Sequence, residues 1–220
     1  MSEGGKGKST YHEPCPEPFI EVICKDPWGL DIGFEDNDWR HQQFAEHLMD
    51  WLPEFALSYT ERKGINQANA RKLLKKSANL IYNSEKYKAR GEFGEMILHA
   101  ILRQEFNTLP AISKIFFKDS PNDTVKGFDC VHVVPAESGL ELWFGEIKFY
   151  KSISDAITDV IEELDTHTQT EYLRQEFSII ENKIDPDWPY AEQLKKLTRQ
   201  NVSMDSIIQM PFSNYSIKAA

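Results

Sequence analysis

The chain has 220 residues, of which 40% are hydrophobic and 12% aromatic, and this composition indicates a folded protein with one sizeable domain, or a small module beside a core domain. The net charge of −10 at pH 7 argues against a protein that coats nucleic acid by bulk electrostatic attraction. Three cysteines without paired metal-ligand spacing predict reduced thiols in a cytoplasmic protein, and the lack of a signal peptide or long apolar run predicts no membrane span.

The N-terminal part is predicted to hold a leader and a small module. Residues 1–18 are rich in Gly, Ser, Lys and Pro, which is typical of a flexible segment. Residues 19–65 follow as a strand and helix module, and Pro53 predicts a kink or a restart in its helix. His41 and His47 are six positions apart and not on one helix face, so we interpret both as surface residues rather than ligands.

A basic belt follows this module. Residues 61–90 hold nine Lys or Arg and only two acidic side chains, and four of the nine lie on a helix predicted from about Asn66 to Tyr82. The belt either tracks a phosphate backbone, docks an acidic protein surface, or is a solvated helix face. The candidate DNA or partner contacts, with one lysine further along the chain, are Lys72, Lys75, Lys76, Lys86, Lys88, Arg90 and Lys126.

The core domain is predicted to span residues 66–220. Its next helix, the third in the chain, begins at Gly91. Glu92, Glu95 and His99 fall within about 60° of one another on a face separate from its apolar stripe. A carboxylate presented by a helix beside a sheet can reach a metal site, so Glu95 is a candidate ligand. The alternative is a hydrated acidic face, and His99 is interpreted as structural.

Three strands and another helix are predicted next. The first strand runs from Ile112 to Lys118, the second opens at Asp129, and the third carries Glu146 and Lys148. Ser152 then predicts the start of the most regular helix in the chain. The fold class is therefore α/β, with an αβββα core, a helical N-terminal extension and C-terminal helices.

Carboxylate and lysine side chains are predicted to meet where the second strand begins and the third ends. Because side chains alternate along a strand, Glu146 and Lys148 point to the same face, while Ile147 between them points to the other. Asp129 lies at the start of the neighbouring strand. A carboxylate followed on the next strand by carboxylate, apolar residue and lysine is the skeleton of a PD-(D/E)xK nuclease site.

The residue types fit metal-assisted phosphodiester hydrolysis. Asp129 and Glu146 would bind Mg²⁺, with Mn²⁺ as a substitute, and Glu95 would be a further ligand. Lys148 would orient or deprotonate a bound water, or stabilise developing negative charge. Gly145 is interpreted as a position where metal or substrate must come close. The alternative is an ordinary surface ion pair on a half-exposed strand.

Four separated motifs together resemble the HamA family. They are Trp51–Leu57, Arg90–His99, Asn122–Asp129 and Gly145–Tyr150. The resemblance covers roughly residues 45–185 and implies the nuclease subunit of the Hachiman antiphage defence system, with a PD-(D/E)xK restriction-endonuclease-like core. It implies DNA as substrate, a helicase subunit that restrains the nuclease, and Asp129, Glu146 and Lys148 as the catalytic set. The alternative function is a non-catalytic adaptor of a helicase, in which these three residues are a relic salt-bridge cluster.

Overall fold

The computed structural model describes residues 21–25, 28–82, 91–113, 127–136 and 139–199, and these form a mixed α/β protein. The strands are β1 Glu21–Lys25, β2 Trp28–Asp31, β3 Phe34–Glu35, β4 Asp38–Trp39, β5 Leu109–Ser113, β6 Cys130–Ala136 and β7 Gly139–Gly145. The helices are α1 His41–Ala56, α2 Tyr59–Lys63, α3 Ala70–Tyr82, α4 Gly91–Phe106, α5 Ile153–His167, α6 Thr170–Lys183 and α7 Ala191–Thr198.

The central sheet is antiparallel, in the order β5-β6-β7, and the chain enters it from α4 and leaves it into α5. The predicted succession of a helix, three strands and a helix is therefore confirmed. The first strand starts earlier than predicted, at Leu109, which pairs with Val133. Asn107 ends α4 with a positive φ of 49° and turns the chain directly into this strand. Residues 114–118 of the predicted strand lie outside the described ranges.

The sheet separates two apolar layers because its side chains alternate between its faces. One face packs on α6 and α7, where Val131 and Val133 meet Phe177 and Leu194. On the other face, Cys130, Trp143 and Ile147 pack against Leu98 and Leu102 of α4. The site residues that follow β7 are positioned by this two-layer packing.

Helices α1, α3 and α4 share a second core beyond that layer. Trp51 and Phe55 of α1 are fully buried there. Pro53 does not break α1, since it lies only three residues before the helix ends and its carbonyl accepts a bond from Leu57 N–H at 3.0 Å. The prediction for His47 was wrong, because its ring is 6% exposed and Nε2 accepts from the Trp51 indole N–H at 2.9 Å.

Helix α5 leaves an apolar stripe in solvent. Ile153, Ile157, Ile161 and Leu164 recur at helical spacing and are 37–60% exposed. The periodicity correctly predicted the helix, but it gave no sign that this face is uncovered. None of the helices in the described ranges is long and apolar enough to cross a membrane.

Candidate functional site

The candidate site lies where β6 begins and β7 ends. Cys130, the first residue of β6, pairs with Gly145, the last residue of β7. One residue before this pair, Asp129 N–H donates to the Gly145 carbonyl at 2.9 Å. The Asp129 side chain is 6% exposed, and its Oδ2 accepts from Ile147 N–H at 2.9 Å. Asp129 therefore fixes the backbone of the segment that carries Glu146.

Glu146 and Lys148 follow the third strand instead of lying on it as predicted, because β7 ends at Gly145 where its partner β6 begins. The predicted alternation nevertheless continues past the strand end. Lys148 Nζ lies 3.4 Å from Glu146 Oε1, whereas Ile147 packs against α4 on the opposite face. The structure therefore brings Asp129, Glu146 and Lys148 together, as the sequence predicts.

Gly145 has a packing role. A Cβ atom at this position would stand 2.3 Å from Cys130 Sγ and 2.9 Å from Leu98 Cδ2. Both atoms belong to the layer between the sheet and α4. The described contacts thus explain the glycine by the close approach of protein atoms, and the approach of metal or substrate is not needed to account for it.

We expect Gly145→Ala to lower the free energy of unfolding by about 1–3 kcal/mol, as overpacking of a filled core does. Urea denaturation would measure this change. Gly91→Ala is the matched control, since a Cβ at Gly91 meets nothing within 4 Å and should leave stability nearly unchanged. Adding Cys130→Ala should restore part of the loss, and no restoration would contradict the steric explanation.

A third carboxylate, which the sequence analysis missed, completes the cluster. Glu163 of α5 forms a close ion pair with Lys148 and shares a hydrogen bond with Glu146. The Glu146 side chain is only 4% exposed, whereas that of Glu163 is 40% exposed. On its other oxygen, Glu146 Oε2 lies 3.5 Å from Nδ1 of His167, an ion-pair distance that is too long for a good hydrogen bond.

The protonation states of this cluster follow from burial and crowding of like charge. Burial, the hydrogen bond to Glu163 and the charge of Asp129 raise the pKa of Glu146 to about 9. Burial alone would lower the pKa of Lys148, but its bond to Glu163 and the charge of Glu146 outweigh that effect and raise it. At neutral pH and without metal, Glu146 is thus protonated and Lys148 is an ammonium.

These shifts, with that of His132, predict a stability optimum in mildly acidic solution. Burial and the charges of His99 and Arg103 lower the pKa of His132 well below 6.5, so stability is lost as pH falls below 6.5, where only the unfolded state gains the proton. Glu146 acts in the opposite direction: above pH 4.5 the unfolded state loses a proton that the folded state holds up to about pH 9, so stability falls as pH rises.

We therefore expect the highest free energy of unfolding between pH 4.5 and 6.5 in metal-free buffer, measured by urea denaturation across the pH range. Glu146→Gln removes the titrating carboxyl and should flatten the decline on the alkaline side. A wild-type profile that keeps rising from pH 6.5 to 9 would contradict the protonation state assigned to Glu146.

Glu95 is a buried residue of α4. Its side chain is 9% exposed, and its charge, after burial and the charge of Asp129, helps to raise the pKa of Cys130. In the described part of the chain, however, no three His, Cys, Asp or Glu side chains are grouped to hold a metal ion. Glu95 as a third ligand remains a prediction.

The donor set still fits a hard cation. Asp129 and Glu146 supply carboxylate oxygens, and Mg²⁺ typically takes one or two carboxylates and completes its shell with water and phosphate oxygens. Among the described residues, Glu146 Oε2 is buried and has no hydrogen-bond partner. A buried acceptor without a donor is costly, and a cation would satisfy it.

The predicted basic contacts are only partly described. Lys72, Lys75 and Lys76 lie exposed on α3, which packs on α1, and Lys76 is ion-paired with Glu61. The remaining candidates, Lys86, Lys88, Arg90 and Lys126, lie outside the described residues. The contact of these exposed lysines with DNA or a partner stays a prediction.

A second polar cluster, buried between α1, α4 and β6, was also missed. Glu54 Oε2 accepts from Arg103 Nε at 2.9 Å and lies 3.1 Å from His99 Nε2. His99 Nδ1 lies 3.2 Å from His132 Nε2, and His132 Nδ1 lies 2.6 Å from the Thr108 hydroxyl. The structural interpretation of His99 agrees with these contacts, which tie α1, α4 and β6 together.

Comparison with known proteins gave one match. A family model described as HamA matches residues 20–218, which is nearly the whole chain. No curated protein and no solved structure shows significant similarity to it.

Proposed function

The chain belongs to the HamA family, whose members are antiphage defence subunits, and we propose that it is a metal-dependent DNA nuclease restrained by a helicase subunit of the same system. The observation that carries the proposal is the convergence of Asp129, Glu146 and Lys148 at one end of the sheet. We further propose that helix α4, the three strands and helix α5 form a PD-(D/E)xK-like core.

Asp129 and Glu146 would hold Mg²⁺ or Mn²⁺. The bound metal would neutralise charge on the scissile phosphate and lower the pKa of a coordinated water. The chain's own contribution is to exclude bulk water from Glu146 and to fix Asp129 through its hydrogen bonds with Gly145, at the end of β7, and with Ile147 beyond it. This preorganisation holds the acids in place before substrate arrives.

Lys148 would stabilise the charge that develops on the phosphate oxygens. Its raised pKa keeps the side chain an ammonium at neutral pH, which favours charge stabilisation over proton abstraction. Only 13% of the side chain is exposed, so the surrounding dielectric is low and its charge acts strongly at short range.

A subunit role is supported by the surface of α5. The apolar stripe of Ile153, Ile157, Ile161 and Leu164 is the kind of exposed patch that protein–protein contact covers. The net charge of −10 also gives the isolated chain little bulk attraction for DNA. An enzyme of this kind would depend on a partner for access to its substrate.

A non-catalytic adaptor is the second candidate. Glu146, Lys148 and Glu163 satisfy much of one another's charge without a metal, as a structural cluster would. In that case the chain would assemble with the helicase and alter its unwinding, and the cluster would serve only stability.

The decisive experiment is degradation of supercoiled and linear DNA by the purified chain in Mg²⁺, in Mn²⁺ and in EDTA, with RNA as a parallel substrate. Glu146→Ala is the variant, and each reaction is repeated with the helicase subunit. We expect metal-dependent cutting of DNA that is absent in EDTA and in the variant. Intact DNA in every lane, including those with the helicase, would reject the nuclease and leave the adaptor.

A further inference from the structure

The segment that carries the acid and the lysine is not held by the sheet. Strand β7 ends at Gly145, whose carbonyl accepts from Asp129 N–H, and just beyond it Ile147 N–H donates to Asp129 Oδ2. Residues 148–150 lie past these two hydrogen bonds. The position of Lys148 therefore depends on side-chain contacts.

Ile147 packs on α4, and the polar side chains at 146, 148 and 150 contact α5 in three successive rungs. The pairs are Tyr150 with Asp159, Lys148 with Glu163, and Glu146 with His167. The Tyr150 hydroxyl donates to Asp159 Oδ2 at 2.8 Å, and the Glu146 pair is 3.5 Å apart. We call this set of three pairs the ladder.

The ladder follows from matched repeats. Two residues of extended chain advance by roughly 6.6–6.8 Å, and four residues of α-helix advance by about 6 Å. An extended segment and an antiparallel helix can therefore pair at spacings of two and four over several rungs. Residues 146, 148 and 150 meet residues 167, 163 and 159 in this way.

Glu163 occupies the central rung and contacts both functional side chains. It forms a close ion pair with Lys148 and is hydrogen-bonded to Glu146. A lysine ammonium on its four-carbon stem has no fixed direction of its own, so a partner must supply one. On one side of this rung the hydrogen bond from Tyr150 to Asp159 holds α5 against the segment, and on the other side His167 lies 3.5 Å from Glu146 without a good hydrogen bond.

We propose that Glu163 is a positioning residue for Lys148, holding the ammonium beside Glu146 in the orientation that the phosphate requires. The proposal rests on the proposed nuclease function and names a residue that acts through Lys148 without touching the reacting atoms. Helix α5, more than the sheet, sets the geometry of the lysine.

The first test compares cleavage kinetics of Glu163→Gln, Glu163→Asp and the wild type on linear DNA with Mn²⁺ and the helicase subunit. Glu162→Gln is the matched control, since Glu162 is the exposed neighbouring acid on the same helix. Glu163→Gln should lower kcat about tenfold or more, as small displacements of a catalytic group do, with KM for DNA within about twofold of wild type. Glu163→Asp should recover part of kcat, and Glu162→Gln should match wild type.

The second test observes the lysine directly and needs no activity. In NMR spectra of the lysine side-chain ammonium groups, a group held by a carboxylate exchanges protons slowly and gives a separate signal, which Lys148→Arg identifies. This signal should vanish in Glu163→Gln and persist in Glu162→Gln.

Three outcomes overturn the proposal: an unchanged kcat in Glu163→Gln, a lowered kcat with the Lys148 signal intact, or a raised KM with kcat unchanged. If the wild type cuts no DNA, the proposed function fails separately. The Lys148 signal then decides alone whether Glu163 holds the lysine.

Discussion

Lys148→Ala is expected to lower kcat for metal-dependent DNA cleavage by about 10²–10⁴-fold, the range over which loss of one catalytic charge or proton-transfer group acts. The fold should survive the change. Without metal Glu146 is protonated, Asp129 keeps its hydrogen bond from Ile147 N–H, and Glu163 is 40% exposed and can be hydrated when the ammonium is removed. Cleavage rates and thermal unfolding of the same preparation would measure both effects.

The control for this prediction is Lys151→Ala, which removes an exposed lysine three residues further along and should leave cleavage unchanged. If Lys148→Ala unfolds the protein, Lys148 is a structural ion-pair partner and the catalytic role is not supported. If the variant folds and cuts DNA like wild type, the role is wrong.

Glu54→Ala is expected to lower the free energy of unfolding by about 3–5 kcal/mol, which is typical when one partner of a buried ion pair is removed. Arg103 is 2% exposed and would keep its charge in the core without the carboxylate that accepts from Nε. His99 would lose its contact at Nε2, and Arg62 would lose its ion pair at 3.3 Å. Urea denaturation would measure the change.

The matched control is Glu46→Ala, which removes an exposed acid of the same helix whose carboxylate accepts from the exposed Gln42 side chain. Its effect should stay within about 0.5 kcal/mol. Glu54→Gln keeps the shape of the side chain and one acceptor oxygen. Its loss of stability should lie between those of Glu54→Ala and Glu46→Ala. Equal stability of Glu54→Ala and Glu46→Ala would show that the buried cluster contributes nothing.

The sequence predicted the parts of this protein that depend on local repeats. Helical periodicity located α4, beginning at Gly91, and α5, and strand alternation placed Glu146 and Lys148 on one face with Ile147 on the other. The meeting of Asp129, Glu146 and Lys148 was predictable for two reasons. Glu146 and Lys148 are two residues apart on one segment, and the antiparallel pairing of β6 with β7 places Asp129 beside them.

The parts that were missed depend on contacts between distant positions. Glu163 lies fifteen residues from Lys148, and nothing in the local pattern distinguishes it from the other acids of α5. Glu54 and Arg103 are separated by 49 residues and meet only because α1 packs on α4. The sequence held one signal for the contacts of Glu163. Asp159, Glu163 and His167 are four residues apart on a helix, and residues 146, 148 and 150 are two apart on an extended segment.

The ladder also limits how relatives of this chain can differ from it. A relative that loses the lysine at position 148 has no cation left for the acid at 163, so these two positions should change together across an alignment. An insertion of one residue between positions 146 and 150 would turn the later rungs to the opposite face, whereas a two-residue insertion would be absorbed by four residues added to α5. Among relatives, the length of the 146–150 segment should therefore change by two residues where the length of α5 changes by four. An alignment of their sequences would show this pattern.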